Sequence, residues 1–354
     1  MLRVLIAEDS LTVRELLTEI LQGDSGITVV GQAKNGVEAV ELATRLKPDL
    51  ITMDIQMPVM DGFEATKEIM VRAPVPIIIV SSSVSERDVA LSLNAMRAGA
   101  LLVLEKPDNP QSAKFDRRRE HLLAMVKAMA QVKVVRRWTP RERGVMPPAA
   151  PPRAPGAPVR LVAIAASTGG PAALQRIFAD LPRGFPAPIL VVQHIATGFV
   201  AGLAHWLGAS CDLRVRVAED GEPLGPHTVY LAPDGRHLGV REPGQILVSD
   251  APPILGFRPA ATFLFESAAR ACGPGVAAVI LTGMGSDGVE GLKAVRQAGG
   301  LVLAQDEASS VVYGMPREAV GAGVVDAVLS LNEVAARLVA VVPGGTDGHK
   351  YPGR

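Results

Sequence analysis

The chain has 354 residues, 48% of them hydrophobic and only 4% aromatic, with 36 basic and 36 acidic side chains that cancel to a formal charge of zero. That length fits two or three domains, and cores poor in aromatic residues suit buried parallel strands of Val, Leu, Ile and Ala covered by helices. The balanced charge argues against a bulk electrostatic grip on nucleic acid or an anionic membrane, and Cys211 and Cys272 have neither disulfide-framework nor metal-ligand spacing.

The first apolar run, Val4–Ala7, is closed by Glu8 and Asp9 and is far too short for a signal peptide or a membrane span. A soluble, cytoplasmic protein with no membrane insertion is expected. Strands are predicted at Val4–Ala7, Thr28–Val30, Leu50–Met53, Ile77–Val80 and Leu101–Leu104. Helices are predicted at Leu11–Leu21, Gly36–Leu46, Phe63–Val71, Arg87–Arg97 and Arg118–Met129. This βα repeat predicts an α/β fold with a doubly wound parallel sheet. From Trp138 to Pro158 the chain is dense in proline, which neither a helix nor a central strand tolerates, so a semi-extended linker is expected. A second α/β pattern follows, with strands at Leu161–Ala165, Pro188–Gln193, Val276–Leu281 and Leu301–Ala304. Short strands at Val215–Val217, Thr228–Leu231 and Gln245–Val248 read as a possible antiparallel portion of an otherwise mainly parallel sheet. The expected domains are 1–121, a linker at 122–158, a second α/β domain at 159–345 and a tail at 346–354.

In the first domain, acids gather at strand ends. Glu8 and Asp9 follow the first strand, and Asp54 follows the third. In an open α/β sheet, ligands sit outside the carboxyl ends of the strands, and carboxylates there suit Mg²⁺, a hard ion that takes oxygen ligands. Ser81 ends the fourth strand and offers a hydroxyl to a phosphoryl oxygen, and Lys106 follows the fifth and supplies a positive charge. Any one of these reads equally well as a turn or a helix cap; four strand ends in this order do not arise easily by chance. With Met53-Asp54-Ile55-Gln56-Met57-Pro58, Met60-Asp61-Gly62 and Lys106-Pro107, the segment from about 3 to 121 resembles the receiver domain of two-component response regulators. The resemblance implies that Asp54 takes a phosphoryl group from a histidine kinase and that Glu8 and Asp9 hold Mg²⁺ with it. Glu8 stands where Asp is commoner in that family, and Val103 where many members carry an aromatic residue.

In the second domain, Ala163-Ile164-Ala165-Ala166-Ser167-Thr168-Gly169-Gly170-Pro171 places a serine between a buried strand and a helix. Backbone N–H groups at that turn favour a negative oxygen, so Ser167 is a candidate nucleophile. Helix capping and a phosphate-binding loop are the alternatives. Of the six histidines, His194 directly follows a strand and emerges at the same sheet edge; His237, placed in a loop, is the runner-up base. Asp287, in the glycine-rich loop Thr282–Gly288, is the candidate orienting acid, ahead of Asp306 and Asp220.

The segments Ala166–Gly170, Gln193-His194, Ala218–Glu222, Ala232–His237, Thr282–Gly288 and Tyr313–Glu318 together resemble the chemotaxis protein-glutamate methylesterase (CheB) family, in that family's order and behind the same kind of receiver. The resemblance implies Ser167 as nucleophile, His194 as base, Asp287 as its partner, and an oxyanion site near Thr168 and the Met284 N–H. It implies hydrolysis of glutamyl γ-methyl esters on methyl-accepting chemoreceptors, with deamidation of glutamine by the same chemistry. It calls for no cofactor in the esterase chemistry, no nucleic acid partner, and control by phosphorylation of Asp54. After Arg258-Pro259 the family usually shows Ser, an apolar residue and Asp; here the chain reads Ala260-Ala261-Thr262. Two rivals remain at this stage: a regulator whose output domain only binds a partner, and a receiver-controlled esterase or amidase with another substrate.

Overall fold

The computed structural model describes residues 1–81, 86–107, 110–112, 115–132, 158–241 and 244–344. Residues 133–157 of the expected linker and the whole expected tail lie outside the described residues. The chain divides into two compact units, Met1–Arg143 and Gly144–Arg354.

The first unit alternates β1 (Leu2–Ala7), α1 (Leu11–Gln22), β2 (Ile27–Ala33), α2 (Gly36–Leu46), β3 (Leu50–Met53), α3 (Gly62–Arg72), β4 (Ile77–Ser81), α4 (Glu86–Ala98), β5 (Leu102–Glu105) and α5 (Phe115–Met129). Its five strands are all parallel, in the order β2-β1-β3-β4-β5. That is the flavodoxin-like doubly wound arrangement. The side chains of Val4 to Ala7 and Leu50 to Met53 are buried, as expected of central parallel strands covered on both faces. Asn35 and Asp61 open α2 and α3 by accepting the N–H of Glu38 and Glu64, each at 2.9 Å, which satisfies donors that a helix start leaves unpaired. Helix α5 runs on to Met129.

The second unit contains β6 (Leu161–Ala166), α6 (Gly170–Asp180), β7 (Ile189–Gln193), α7 (Val200–Gly208), β8 (Arg214–Val217), β9 (Thr228–Leu231), β10 (His237–Arg241), β11 (Gln245–Ser249), α8 (Ala261–Cys272), β12 (Val276–Ile280), α9 (Val289–Gln297), β13 (Leu301–Gln305), α10 (Met315–Gly321), β14 (Ala327–Leu329) and α11 (Leu331–Val341). Seven strands form one parallel sheet in the order β14-β13-β12-β6-β7-β9-β8. From β6 the chain builds outward through β7 to β9 and β8, then returns to β12 on the other side of β6. The loops after β6 and β12 therefore leave in opposite directions, opening a crevice at the carboxyl edge of the sheet.

The short strands differ from expectation. β8 and β9 pair in parallel within the main sheet. Only β11 is antiparallel, and it pairs with β10 in a separate two-stranded hairpin. β10 lies against α8, where a side chain at Gly239 would meet Ser267 Oγ at 2.6 Å. That interior glycine disguises the strand in the sequence.

Candidate active site

The carboxyl edge of the first unit's sheet forms a cleft of about 750 Å³ lined by Glu8, Asp9, Asp54, Ser81 and Lys106, among others. Glu8 and Asp9 sit just past β1 and Asp54 just past β3, at the point where strand order reverses. The Lys106 ammonium bridges Glu8 Oε2 at 2.7 Å and Asp54 Oδ2 at 2.9 Å. Burial, reinforced by the Asp54 charge, pushes Glu8 up to about 7 against the pull of Lys106. Burial also raises Asp54, with Lys106 opposing it. Burial disfavours the Lys106 charge, but Asp54 and Glu8 outweigh that and leave its pKa above the ordinary lysine value. Carboxylate oxygens of Glu8, Asp9 and Asp54 lie within 4.8 Å of one another. Three hard oxygen donors at this spacing, two of them buried with raised pKa values, fit a small divalent cation. Gln56 Nε2 donates to Asp88 at the wall of the same cleft.

In the second unit the register of neighbouring strands sets the geometry. Ala166 at the end of β6 faces Gln193 at the end of β7, so Ser167 and His194 leave adjacent parallel strands at one level, about 5 Å apart in backbone. The His194 N–H donates to the Ala166 carbonyl at 2.9 Å. The Ser167 N–H donates to the Thr282 carbonyl at 3.0 Å, which ties the serine to the loop after β12. Close backbone approach there depends on Gly283, since an added Cβ would meet Ser167 Cβ at 2.7 Å and Met315 Sδ at 2.4 Å.

His194 Nε2 lies 3.0 Å from Asp287 Oδ2. Its other ring nitrogen, Nδ1, is buried and has no hydrogen-bond partner among the described residues. Asp287 is only 1% exposed. Its Oδ2 accepts the Ala261 N–H at 2.7 Å and its Oδ1 the Thr262 N–H at 3.1 Å. These are the first two N–H groups of α8, so the carboxylate also caps that helix, where negative charge is favoured. Burial pushes Asp287 up, but the His194 contact and the two backbone N–H groups outweigh it and hold the carboxyl below the usual aspartate range. The Thr262 hydroxyl accepts the Gly288 N–H at 2.9 Å. The residue that departs from the family pattern thus braces the loop carrying Asp287.

Thr168 is buried and Met284 is exposed. Among the described residues neither of their N–H groups has a protein acceptor. The other candidates have structural partners. His237 opens β10, fully buried, with Nδ1 accepting the Ala260 N–H at 3.2 Å and Nε2 on the Pro252 carbonyl at 3.1 Å. Its placement in a loop was incorrect, because the strand signal stops at Gly239. Asp220 accepts the Val248 N–H, and Asp306 binds Ser309.

Two contributors have no signal in single-residue reasoning. Gln193 Nε2 donates to the carbonyls of both Ser167 and His194, each at 2.8 Å. Thr282 Oγ1 donates to the Thr168 carbonyl at 2.9 Å and accepts the Val312 N–H at 2.9 Å. A glutamine at a strand end and a threonine before a glycine loop are common; only the packed fold gives them these partners.

Fold and site together define the class: a receiver-type unit followed by an α/β unit of hydrolase type. A model of the response regulator receiver domain matches residues 4–114, and a model of CheB methylesterase matches residues 162–338. The chain is 57% identical, over 97% of its length and 98% of the relative's, to a Myxococcus xanthus protein named protein-glutamate methylesterase/protein-glutamine glutaminase 4. A protein of Anaeromyxobacter dehalogenans with the same name, numbered 3, is 52% identical over 96% of this chain and 98% of its own length. The solved catalytic domain of Thermotoga maritima CheB methylesterase is 41% identical, covers 52% of this chain and 99% of its own, and superimposes with a TM-score of 0.51. The chain belongs to the CheB methylesterase family.

Proposed function

We propose that this chain is a phosphorylation-activated protein-glutamate methylesterase, with protein-glutamine glutaminase activity, acting in adaptation of a chemosensory pathway. The observation that carries the chemistry is the His194 ring. Its Nε2 is engaged by Asp287, while Nδ1 is buried and has no partner among the described residues; in this reading Nδ1 is the atom that takes the Ser167 proton. With Nε2–H donated to a carboxylate, the neutral imidazole keeps its lone pair on Nδ1, as a general base requires.

In this reading, His194 Nδ1 takes the Ser167 proton as Oγ attacks the carbonyl of a glutamyl γ-methyl ester. The oxyanion is met by the N–H groups of Thr168 and Met284, which have no protein acceptor among the described residues. The C–O bond to the methoxy group breaks, and methanol leaves with the proton from His194. Water, deprotonated by His194, then attacks the acyl-enzyme and releases glutamate and Ser167. A glutamine side chain follows the same course with ammonia as the leaving group. Asp287 holds the tautomer and stabilises the imidazolium.

Glu8, Asp9 and Asp54 would hold Mg²⁺, which when bound neutralises charge on the phosphoryl group delivered to Asp54. Ser81 and Lys106 would contact that group's oxygens. The phosphodonor in this reading is the pathway's histidine kinase, and the substrates are methyl-accepting chemoreceptors. Among the described residues no helix is long and apolar enough to cross a membrane, and in this reading the chain acts in the cytoplasm.

The test is methanol release from methylated receptor membranes, with and without acetyl phosphate and Mg²⁺. Release that rises with the phosphodonor, returns to the basal rate in Asp54→Ala and disappears in Ser167→Ala is expected. Undiminished release by Ser167→Ala would overturn the assignment, and a panel of small esters separates receptor esters from a general esterase activity.

A further inference from the structure

From the end of the hairpin into the first turn of α8, residues 252–262 form a strap pinned at Pro252 and Ala260 by one buried side chain. His237 binds the Pro252 carbonyl at 3.1 Å through Nε2 and accepts the Ala260 N–H at 3.2 Å through Nδ1. The far end of the strap is a tight turn. Ile254 and Phe257 exchange backbone hydrogen bonds at 3.1 and 2.8 Å, and the two residues between them, Leu255 and Gly256, have φ of +51° and +82°. Two successive residues at positive φ make a hairpin turn of the primed kind. Leucine is a costly residue for such a position, so the turn is held by its surroundings rather than by its own preference.

What the turn delivers is the Phe257 ring. It stacks on the His194 imidazole with centroids 4.3 Å apart and planes only 9° from parallel. A few residues later the same strap supplies the Ala261 and Thr262 N–H groups to Asp287. One segment therefore contacts both members of the histidine–aspartate pair, one through a ring face and the other through backbone donors.

We propose that Phe257 is a positioning residue for the hydrolysis, acting through His194; this rests on the reading of Ser167 and His194 given above. The stack does two things. A phenyl face against the imidazole fixes the ring plane, and with it the directions in which Nε2 and Nδ1 point. It also places a π-cloud against a ring that becomes a cation when it takes the serine proton. An aromatic face attracts a cation and gains much less from the neutral imidazole. The contact is therefore stronger in the transition state than in the resting enzyme, which is the condition for raising kcat.

The test compares Phe257→Leu, Phe257→Tyr and Phe257→Trp in the full chain, activated with acetyl phosphate and Mg²⁺, with methylated receptor membranes as substrate. Loss of the ring face is expected to lower kcat about tenfold with KM within about twofold. Tyr and Trp, which keep a ring face, are expected to restore most of it. In the NMR spectrum of the wild-type chain the His194 ring C–H protons are expected to lie upfield, displaced by the phenyl ring current, and to move downfield in Phe257→Leu. A wild-type kcat in Phe257→Leu, a rise in KM alone, or a Tyr variant as slow as the Leu variant would each overturn the proposal. Should the Leu variant fail to fold, the wild-type spectrum decides, because His194 protons without an upfield displacement exclude the stack. Ser167→Ala run alongside separates the two levels. If it is silent while Phe257→Leu is unaffected, only the role of Phe257 falls; if it stays active, the hydrolase assignment falls first.

Discussion

The carboxylate of Asp287 faces His194 Nε2 at 3.0 Å while the same oxygen accepts the Ala261 N–H at 2.7 Å, so one buried acid orients an imidazole and opens helix α8. Burial works against its ionisation, and the His194 contact together with the two backbone N–H groups outweighs it and holds the carboxyl below the usual aspartate range.

Asp287→Asn tests the first task. The amide keeps the shape but can present N–H where an acceptor is required, which disfavours the tautomer with a lone pair on Nδ1. A fall in kcat on the order of 10³–10⁴ is expected for methanol release, the size seen when a Ser-His-Asp triad loses its acid. KM should change little.

The acid limb of stability reports both tasks, the His194 contact first and the two backbone N–H groups after it. Because the folded carboxyl titrates below its ordinary value, the unfolded chain binds the proton more readily. The stabilisation is fully present above about pH 4 and is lost as pH falls through the lower folded value. Urea unfolding followed from pH 5 to pH 2.5 should show a steeper acid loss in the wild type than in Asp287→Asn, where that group no longer titrates. Identical slopes would contradict the assignment.

At the receiver cleft the sign is reversed. Glu8 is raised to about 7, so at neutral pH a proton competes for one of the carboxylates that would hold the cation. Mg²⁺ affinity measured by titration calorimetry should fall about tenfold between pH 8 and pH 6, the drop expected for displacing one proton from a group of that pKa. Glu8→Gln should bind more weakly and lose most of that pH dependence.

Gly170→Ala tests the Gln193 clamp without touching a reacting group. A Cβ there would meet Gln193 Oε1 at 2.0 Å and Ala166 Cβ at 2.8 Å, so the amide must swing away from the carbonyls it holds. The expected result is a loss of about 1–3 kcal/mol of stability from overpacking, with a fall in kcat of tenfold or more. A variant that folds and turns over like the wild type would show that the clamp is dispensable.

Much of this arrangement is legible in the sequence because strand ends are. Apolar runs such as Ile189-Leu190-Val191-Val192 mark buried parallel strands, and a polar residue at their carboxyl end falls at the edge where such sheets bind ligands. That logic reaches Glu8, Asp9, Asp54, Lys106, Ser167, His194 and Asp287 one by one. It does not reach contacts that depend on packing between distant segments. Phe257 reads as an ordinary loop aromatic, and Gln193 as the last residue of a strand, until the turn at Leu255 and the β6–β7 register bring them to the site. The parallel pairing of β8 and β9 was equally hidden. Short strands carry a period but no direction, and direction is fixed only by where the connecting chain crosses the sheet. β14, three residues long and only partly buried, and α10, seven residues beginning Met-Pro, are too short for periodicity to register.

The double duty of Asp287 constrains how this protein can diverge. A lineage that ceased to need the esterase would ordinarily be free to lose its orienting acid by drift. Here that substitution also strips the first turn of α8 of its cap, a change worth about 1 kcal/mol or more of folding free energy. Purifying selection on the fold would go on protecting the acid after selection on turnover had ceased, so a descendant could keep an intact histidine–aspartate pair long after losing its serine.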